Sequence, residues 1–285
     1  MRQLEAGSRV GIVCCSNGQK ESGRAALERL GDILRTLGLE PVYSDYIFER
    51  EDVFSGSARE RAGALMDLYR RPDIQAIFDI SGGDIANEIL QELDYSVIAA
   101  SGKQFWGYSD LTTVLNAIYT KTGNSGVLYQ IRNLLYDHGA KQLQNFRETV
   151  RDGKDSLHSL SVRFVQGDSM EGIVVGGNVR CLLKLAGTPY FPDLAGKILL
   201  LEAYSGLPAQ LAAYFSQLKQ MNAFERVSGV LLGTFTQWEE QLPMRAEDFI
   251  LRYVGTDIPV ARTGDIGHGT DAKAIEIGEM LRLAK

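Results

Sequence analysis

The sequence predicts an α/β protein with an amino-terminal open parallel sheet with flanking helices, plus a smaller carboxy-terminal α/β domain with mixed strands. Two observations carry this prediction. The first ~130 residues alternate apolar, strand-like runs with amphipathic segments about five times, which is typical of parallel sheets. The alternation fades after Leu134 and new apolar runs begin at Met170. We therefore expect an amino-terminal domain over residues 1–135, a crossing segment over 136–169 and a carboxy-terminal domain over 170–285.

The elements of the first domain are predicted from apolar runs and helical spacing. The run at residues 9–15 is apolar almost throughout, as expected when both faces of a parallel sheet are buried. Leucines and isoleucines at helical spacing follow it and predict a helix. The full set of expected elements is strands at 9–15, 41–43, 74–80, 103–108 and 126–130, with helices at 23–37, 57–71, 85–90 and 111–122.

The same signals predict the crossing segment and the second domain. Apolar residues at helical spacing in a polar stretch predict a bridging helix around 143–150. The most apolar strand of the chain, at residues 197–202, ends in a carboxylate. Other expected elements are strands at 227–232 and 257–261, helices at 182–185, 208–221 and 246–253, and a terminal hairpin made of 274–277 and 279–283.

Composition excludes several classes of protein. The net charge is −6, from 30 basic and 36 acidic residues, and no basic stripe stands out, so we expect no nucleic acid polymer as a partner. No run approaches the roughly 18 apolar residues of a membrane span, and the first residues lack the apolar core of a signal peptide. Three cysteines make no disulfide framework, which favours a reducing cytoplasm. The few histidines and cysteines have no ligand spacing, so we expect no metal and no cofactor.

Ser109 is the candidate nucleophile. The expected strand that begins at Lys103 ends abruptly at this serine, and a helix follows. A serine on a sharp strand-to-helix turn has its hydroxyl pushed out of the sheet, and the first N–H groups of the helix point towards it. The match to Gly-x-Ser-x-Gly is partial, because Gly107 is present but Leu111 replaces the second glycine. The alternative interpretation is that Ser109 caps the helix.

A serine hydroxyl needs a base, and the base needs an orienting acid. His268 lies between two glycines after an expected strand, whereas the other two histidines lie in the polar crossing segment. Glu202 ends the most apolar strand and either caps it in water or is buried and paired; the second interpretation is favoured. The order Ser109, Glu202, His268 is known from hydrolases. The alternative for Gly-His-Gly is a simple turn.

A glycine-rich turn follows the third expected strand. Gly82 and Gly83, followed by Asp84, would let backbone N–H groups approach a ligand closely. The alternative is a tight turn with no ligand. It is not a dinucleotide fingerprint, because Gly-x-Gly-x-x-Gly is absent.

Together these residues resemble the LD-carboxypeptidase family of serine peptidases, which includes muramoyl-tetrapeptide carboxypeptidases and microcin C immunity peptidases. The resemblance covers nearly the whole chain in the right order. It rests on Gly-Tyr-Ser-Asp at 107–110, the glycine pair at 82–83, Gly-Asn at 177–178, Gly-Thr-Pro-Tyr at 187–190, the strand at 197–202 and Gly-His-Gly at 267–269.

The resemblance implies a Ser109–His268–Glu202 triad that cuts an amide bond near a free carboxylate through an acyl-enzyme. It implies that backbone N–H groups of Gly83 and Asp110 form the oxyanion hole. It also implies a homodimer. The expected substrate is a small peptide such as murein tetrapeptide, or a peptidyl- or aminoacyl-nucleotide of the immunity type.

The sequence departs from the family pattern after the nucleophile helix. Members often have a Gly-Pro pair there, whereas this chain has Tyr-Gln-Ile-Arg-Asn at residues 129–133. This altered loop motivates a second hypothesis, a catalytically degenerate two-domain protein that binds a small molecule or peptide. A distance of Ser109 Oγ to a His268 ring nitrogen within about 3.5 Å favours the enzyme. A nucleotide-dependent transferase is disfavoured because no phosphate loop is present.

Overall fold

Two six-stranded sheets organise the computed structural model, which describes residues 3–285. The strands, in chain order, are β1 (Arg9–Val13), β2 (Glu40–Tyr43), β3 (Ile74–Asp79), β4 (Gln104–Gly107), β5 (Gly126–Leu128), β6 (Val162–Gln166), β7 (Ser169–Asn178), β8 (Ile198–Ala203), β9 (Gly229–Phe235), β10 (Val260–Thr263), β11 (Ile275–Ile277) and β12 (Met280–Ala284).

Helices cover the faces of both sheets. The α-helices are α1 (Arg24–Thr36), α2 (Ala58–Arg70), α3 (Tyr95–Ser101), α4 (Thr112–Thr122), α5 (Gly139–Val150), α6 (Val179–Leu183), α7 (Pro208–Gln220), α8 (Ala223–Arg226), α9 (Thr236–Gln241) and α10 (Ala246–Val254). Short 3₁₀ helices span Glu21–Gly23, Ala86–Glu92, Ser109–Leu111 and Ile131–Leu135. Among the described residues, no helix is both long and apolar enough to cross a bilayer.

The first sheet has the strand order β11-β5-β4-β3-β1-β2, and its pairs are parallel except β11 with β5. Strands β1, β3, β4 and β5 are buried on both faces over most of their length, which explains their continuous apolar character. Leu27, Leu30 and Leu34 of α1 pack on one face, and α2, α3 and α4 pack on the other. The predicted open parallel sheet with flanking helices is confirmed.

The second sheet has the order β12-β7-β8-β9-β10-β6. The four inner strands, β7 to β10, are parallel, and both edge strands run antiparallel to their neighbours. The expectation of mixed strands in the carboxy-terminal part is therefore confirmed. Its core includes Leu199, Leu201, Phe215, Leu232 and Trp238.

The predicted terminal hairpin is wrong. Strand β11 joins the first sheet beside β5, and β12 joins the second sheet beside β7. Gly278, between them, has a φ of +96°, which lets the chain turn from one sheet to the other. Ile275 and Ile277 are buried in the first sheet, so the apolar pattern that suggested a hairpin strand reflects pairing with a distant partner.

The crossing region contributes to both sheets. Helix α5 packs on the first sheet, where the Phe146 ring contacts Phe78 and Trp106. Strand β6, which the sequence patterns did not predict, pairs with β10 at the edge of the second sheet. The predicted bridging helix is thus present, at Gly139–Val150.

Helix α4 joins the two sheets by hydrogen bonds to the free edge of β7. Backbone groups at alternate residues of a strand face the same neighbour. Val174 bonds the segment before β12 through Glu279 and Gly278. At Gly176, the Asn116 side chain of α4 replaces a strand: Gly176 N–H donates to Oδ1 at 2.8 Å, and Nδ2 donates to the Gly176 carbonyl at 2.9 Å.

Close approach explains the glycine pair in β7. Two residues after Gly176, the Asn178 N–H donates to Thr112 Oγ1 at 3.0 Å. A Cβ on Gly177 would lie 2.7 Å from the same Thr112 oxygen, and a Cβ on Gly176 would lie 2.2 Å from the Leu200 carbonyl oxygen. The start of α4 and the end of β7 are therefore fixed against each other at backbone contact.

We expect Asn116→Leu to destabilise the protein by roughly 2–5 kcal/mol, because it leaves the buried N–H and carbonyl of Gly176 without partners. Urea unfolding followed by circular dichroism measures the change. Gln144→Leu removes an exposed carboxamide from α5 and is the control, with little change expected. Equal midpoints for the wild type and Asn116→Leu would contradict the importance of this joint.

Candidate active site

Ser109 lies on a strained turn between β4 and the helix that follows. Its φ is +57°, a left-handed conformation that residues other than glycine seldom adopt, whereas Tyr108 before it is extended. A Cβ on Gly107 would lie 2.7 Å from Leu111 Cβ, so the turn closes only with glycine at this position. Leu111 fills the space against Gly107, which explains why the second glycine of the motif is absent.

The structure brings together the three residues that the sequence order suggested. His268 Nε2 lies 3.0 Å from Ser109 Oγ, and His268 Nδ1 lies 2.7 Å from Glu202 Oε2. Ser109 follows β4 of the first sheet, whereas Glu202 is in β8 and His268 follows β10 of the second. The site therefore lies between the two sheets, where ligand sites often occur.

Glu202 is buried and paired, as favoured from the sequence. Its residue is 1% exposed, and its carboxylate contacts the imidazole of His268. A Cβ on Gly233 of the neighbouring strand would lie 2.9 Å from Glu202 Cβ, so this glycine makes room for the buried acid.

The loop of His268 is held by close packing against β9. Thr234 N–H donates to the Ile266 carbonyl at 2.7 Å. Gly267 has a φ of +146°, and a Cβ there would lie 1.8 Å from Thr234 Oγ1. The imidazole itself is flanked by two tyrosine rings, with centroid distances of 4.6 Å to Tyr108 and 5.0 Å to Tyr204.

Helix α5 also holds the His268 loop. Gln142 is 2% exposed, and its Nε2 donates to the carbonyls of Thr270 at 3.2 Å and Ala272 at 2.8 Å. Its Oε1 accepts from the Tyr129 hydroxyl at 2.9 Å. His138, which precedes the helix, contacts Thr270 Oγ1 through Nδ1 at 2.8 Å. The crossing region thus fixes the loop that carries the imidazole.

The glycine-rich turn lies beside Asn17, in the loop after β1. Gly83 has a φ of +128°, and a Cβ there would lie 2.1 Å from Asn17 Oδ1, so only glycine fits. The same Oδ1 accepts the Asp84 N–H at 3.1 Å, and Asn17 N–H donates to the Gly82 carbonyl at 3.2 Å. The Asp84 carboxylate pairs with Arg180 and with Lys184 from the second sheet's side of the cleft.

Asp110 ties the nucleophile turn to its surroundings through its side chain. The fully buried carboxylate accepts from Ser16 Oγ at 2.7 Å and from the Ala86 N–H at 2.8 Å. Its other oxygen lies 2.5 Å from Lys184 Nζ. The loops after β1, β3 and β4 therefore share one carboxylate, whose charge is matched by a lysine from across the cleft.

Burial sets the ionisation of other groups near the site. Asp79, at the end of β3, has its pKa raised by burial, although it accepts hydrogen bonds from Ser81 and from the Cys15 N–H. Burial likewise raises the pKa of the Cys14, Cys15 and Cys181 thiols, so they stay protonated and are not competing nucleophiles.

Several residues of the site were missed from the sequence. Asn17 lies in a turn after the first expected strand, whereas no local pattern singled out Tyr204, two positions after Glu202. Gln142 and Lys184 lie on helical segments and gave no local signal, because their contacts are made across the fold. Among residues 3–285, no three His, Cys, Asp or Glu side chains gather in a way that could hold a metal ion.

Comparisons with known proteins find relatives over nearly the whole chain. Residues 10–130 match the LD-carboxypeptidase N-terminal domain, and residues 171–283 match the LD-carboxypeptidase C-terminal domain. A probable murein peptide carboxypeptidase of Bacillus subtilis is 30% identical over 86% of this chain and 80% of its own length. The microcin C7 self-immunity protein MccF of Escherichia coli is 26% identical over 98% of this chain and 91% of its own length.

The fold is shared with solved structures. The structure of MccF in complex with glutamyl sulfamoyl guanosine superposes with a TM-score of 0.87 at 22% identity, covering 100% of this chain and 98% of that one. The sequence matches and the shared fold lead to one conclusion: the chain belongs to the LD-carboxypeptidase family, and this membership supports a peptidase of the carboxypeptidase type.

Proposed function

We propose that the protein is a serine carboxypeptidase that hydrolyses an amide bond near a terminal carboxylate, with Ser109, His268 and Glu202 as its catalytic triad. The observation that carries this proposal is the continuous chain of contacts from Glu202 through both nitrogens of His268 to Ser109 Oγ. The 3.0 Å serine–histidine distance is within the limit that favours an enzyme over a degenerate binding protein.

In the proposed mechanism, His268 transfers one proton in each of the two half-reactions, formation of the acyl-enzyme and its hydrolysis. Nε2 takes the hydroxyl proton as Ser109 Oγ attacks the carbonyl carbon, while Glu202 accepts the Nδ1–H and fixes the tautomer. The carbon–nitrogen bond then breaks, and His268 gives the proton to the leaving nitrogen. After the leaving group departs, His268 Nε2 takes a proton from a water molecule, which attacks the ester carbon on Ser109. The bond between that carbon and Ser109 Oγ breaks, and His268 Nε2 returns the proton to Ser109 Oγ.

We propose the N–H groups of Gly83 and Asp110 as the oxyanion hole. Gly83 is on the turn that only glycine can form, and Asp110 follows Ser109 at the start of the helix, where N–H groups favour negative charge. The neighbouring Asp84 N–H is occupied by Asn17. Gly82 and Asp84 are proposed to shape the substrate-binding rim, Asp84 through its pairing with Arg180.

The proposed domain organisation follows the same division of roles. Residues 1–135 would carry the nucleophile, 136–169 would cross between the domains, and 170–285 would carry the acid and the base. This division is supported by the placement of the nucleophile on one sheet and of the acid and base on the other, since Ser109 follows β4, Glu202 is in β8 and His268 follows β10. Strand β11 is an exception to this division, because it belongs to the carboxy-terminal part of the chain but pairs with β5 of the first sheet.

Two substrate classes follow from the relatives. The Bacillus relative is named for murein peptide, and solved MccF structures hold aminoacyl sulfamoyl nucleosides. For this chain we propose a murein tetrapeptide or an aminoacyl-nucleotide. Release of the terminal D-alanine from the tetrapeptide and cleavage of the aminoacyl-nucleotide should be assayed in parallel by mass spectrometry, which identifies the bond that is cut.

Replacing Ser109 with alanine is expected to lower kcat by roughly 10⁴- to 10⁶-fold, because the residual rate then comes only from binding and the oxyanion donors. A fluorophosphonate probe should label the wild type at Ser109 and leave the variant unlabelled. Ser169→Ala, at the exposed far end of β7, is the control. Full hydrolysis by Ser109→Ala would refute the assignment.

Gln142→Leu is expected to lower kcat by about 10- to 100-fold with little change in KM, because the His268 loop loses two hydrogen bonds and a shift near 1 Å misaligns the imidazole. Steady-state kinetics well below the unfolding temperature gives both constants. Gln144→Leu on the same helix should behave as wild type. If Gln142→Leu unfolds more easily but keeps its kcat, the helix does not position the base.

A homodimer is proposed by resemblance to the family. Multi-angle light scattering at micromolar concentration should then give about twice the 31.4 kDa mass of the chain. A strict monomer mass over that range would remove the proposal.

A further inference from the structure

Arg132 is a half-buried cation beside the site that has no carboxylate partner. It lies in the 3₁₀ helix after β5, within the stretch where this chain departs from the family's Gly-Pro pair. The other half-buried arginines Arg71, Arg180 and Arg262 each pair with an acid. Among residues 3–285, Arg132 and Arg151 are the half-buried arginines without one.

The hydrogen bonds of Arg132 fix the side chain but leave it unsatisfied. Its Nη1 donates to Gln19 Oε1 at 2.9 Å, and Gln19 Nε2 in turn donates to the Ile80 carbonyl at 3.2 Å. The backbone N–H of Arg132 donates to Gln130 Oε1 at 3.1 Å. Its Nε is buried and has no hydrogen-bond partner. A buried donor of a charged group without a partner is costly, and an acceptor supplied by a ligand would offset that cost.

The sheet order locates this guanidinium relative to the reacting atoms. Arg132 follows β5 and Gln19 follows β1, and β4 and β3 lie between those strands. Their contact therefore spans the carboxyl edge of the sheet, where β4 ends at Tyr108 and Ser109. Burial and then the charge of Glu202 raise the pKa of the Tyr108 hydroxyl, and Arg132 acts against them. The contact between Arg132 and Gln19 thus places the guanidinium along the edge of the sheet that carries Ser109.

The charges of the cleft leave Arg132 unmatched. Glu202 is engaged by His268, Asp110 by Lys184, and Asp84 by Arg180 and Lys184. In the proposed mechanism, the leaving nitrogen receives its proton from His268 Nε2, so the leaving portion of the substrate lies beside the imidazole. The ring of Tyr108 packs against that imidazole at a centroid distance of 4.6 Å, and Arg132 lies on the same carboxyl edge of the sheet as Tyr108.

We propose that Arg132 binds the anionic oxygens that the substrate carries on the leaving side of the scissile amide. These would be the terminal carboxylate of a peptide or the phosphate-type group of an aminoacyl-nucleotide, and this inference rests on the proposed function. A guanidinium offers a planar fork of donors that suits either group. The specificity for an acidic leaving portion would then come from the loop that departs from the family pattern.

The kinetic test compares murein tetrapeptide with the same peptide amidated at its carboxyl end. Arg132→Met should lower kcat/KM for the acid roughly 10- to 100-fold and leave that for the amide nearly unchanged, so that the preference for the acid disappears. Fluorophosphonate labelling of Ser109, which needs no carboxylate, should keep its wild-type rate. Arg151→Met, which removes the other unpaired half-buried arginine, is the matched control.

A binding test separates this inference from the proposed function. In the Ser109→Ala background, calorimetry with the tetrapeptide, its amide and aspartyl sulfamoyl adenosine measures affinity without turnover. The anionic ligand whose affinity falls when Arg132→Met is added to Ser109→Ala shows whether Arg132 binds a peptide carboxylate or the sulfamoyl group. Equal affinities with and without Arg132→Met, or equal losses for acid and amide together with slower labelling, would overturn the inference. A wild type that binds but hydrolyses nothing would refute the proposed function alone.

Discussion

The hydrogen-bonded joint between Asn116 of α4 and Gly176 of β7 is the contact on which the geometry of the site depends. Helix α4 begins just after Ser109, and β7 pairs with β8, which carries Glu202. Because the joint uses two directional bonds to the backbone, it fixes the helix against the second sheet more tightly than side-chain packing alone. A single buried carboxamide thus sets the distance between residues that are 93 positions apart in the chain, Ser109 and Glu202.

Three buried carboxylates stabilise the site in different ways. Asp79 has its pKa raised by burial and is held by neutral donors, whereas the Asp110 carboxylate pairs with the ammonium of Lys184. Glu202 has the imidazole of His268. Asp79 and Asp110 together tie the loops after β1, β3 and β4, and Glu202 holds the histidine loop. Since each loop is tied to a buried carboxylate, the reacting groups are preorganised before a substrate arrives.

Much of the fold was predictable because its signals are local. The apolar run of β1 and the helical spacing of α1 and α2 depend on residues within one element, and the structure has these elements within a few residues of the predictions. The roles of Ser109, Glu202 and His268 could be proposed because each has a local signal, a strand-to-helix turn, an apolar strand that ends in a carboxylate and a Gly-His-Gly turn, and because their chain order is known from hydrolases. The pairing of β11, the edge strand β6 and the contacts of Gln142 with the His268 loop could not, because they depend on partners far away in the chain. Arg132 was visible only as a departure from a pattern; its lack of a counter-ion is a property of the folded chain.

The placement of β11 and β12 in different sheets makes the two halves of the molecule topologically inseparable. The chain crosses between the sheets after β5, again before β11 and again at Gly278. A fragment that ended before residue 275 would expose the edge of β5, and an exposed strand edge is a template for aggregation. Three covalent crossings also oppose the wide hinge opening that many two-domain enzymes use to admit ligands. Tyr204, 60% exposed and with its ring 5.0 Å from that of His268, is a side chain at the rim of the site whose movement needs no such opening.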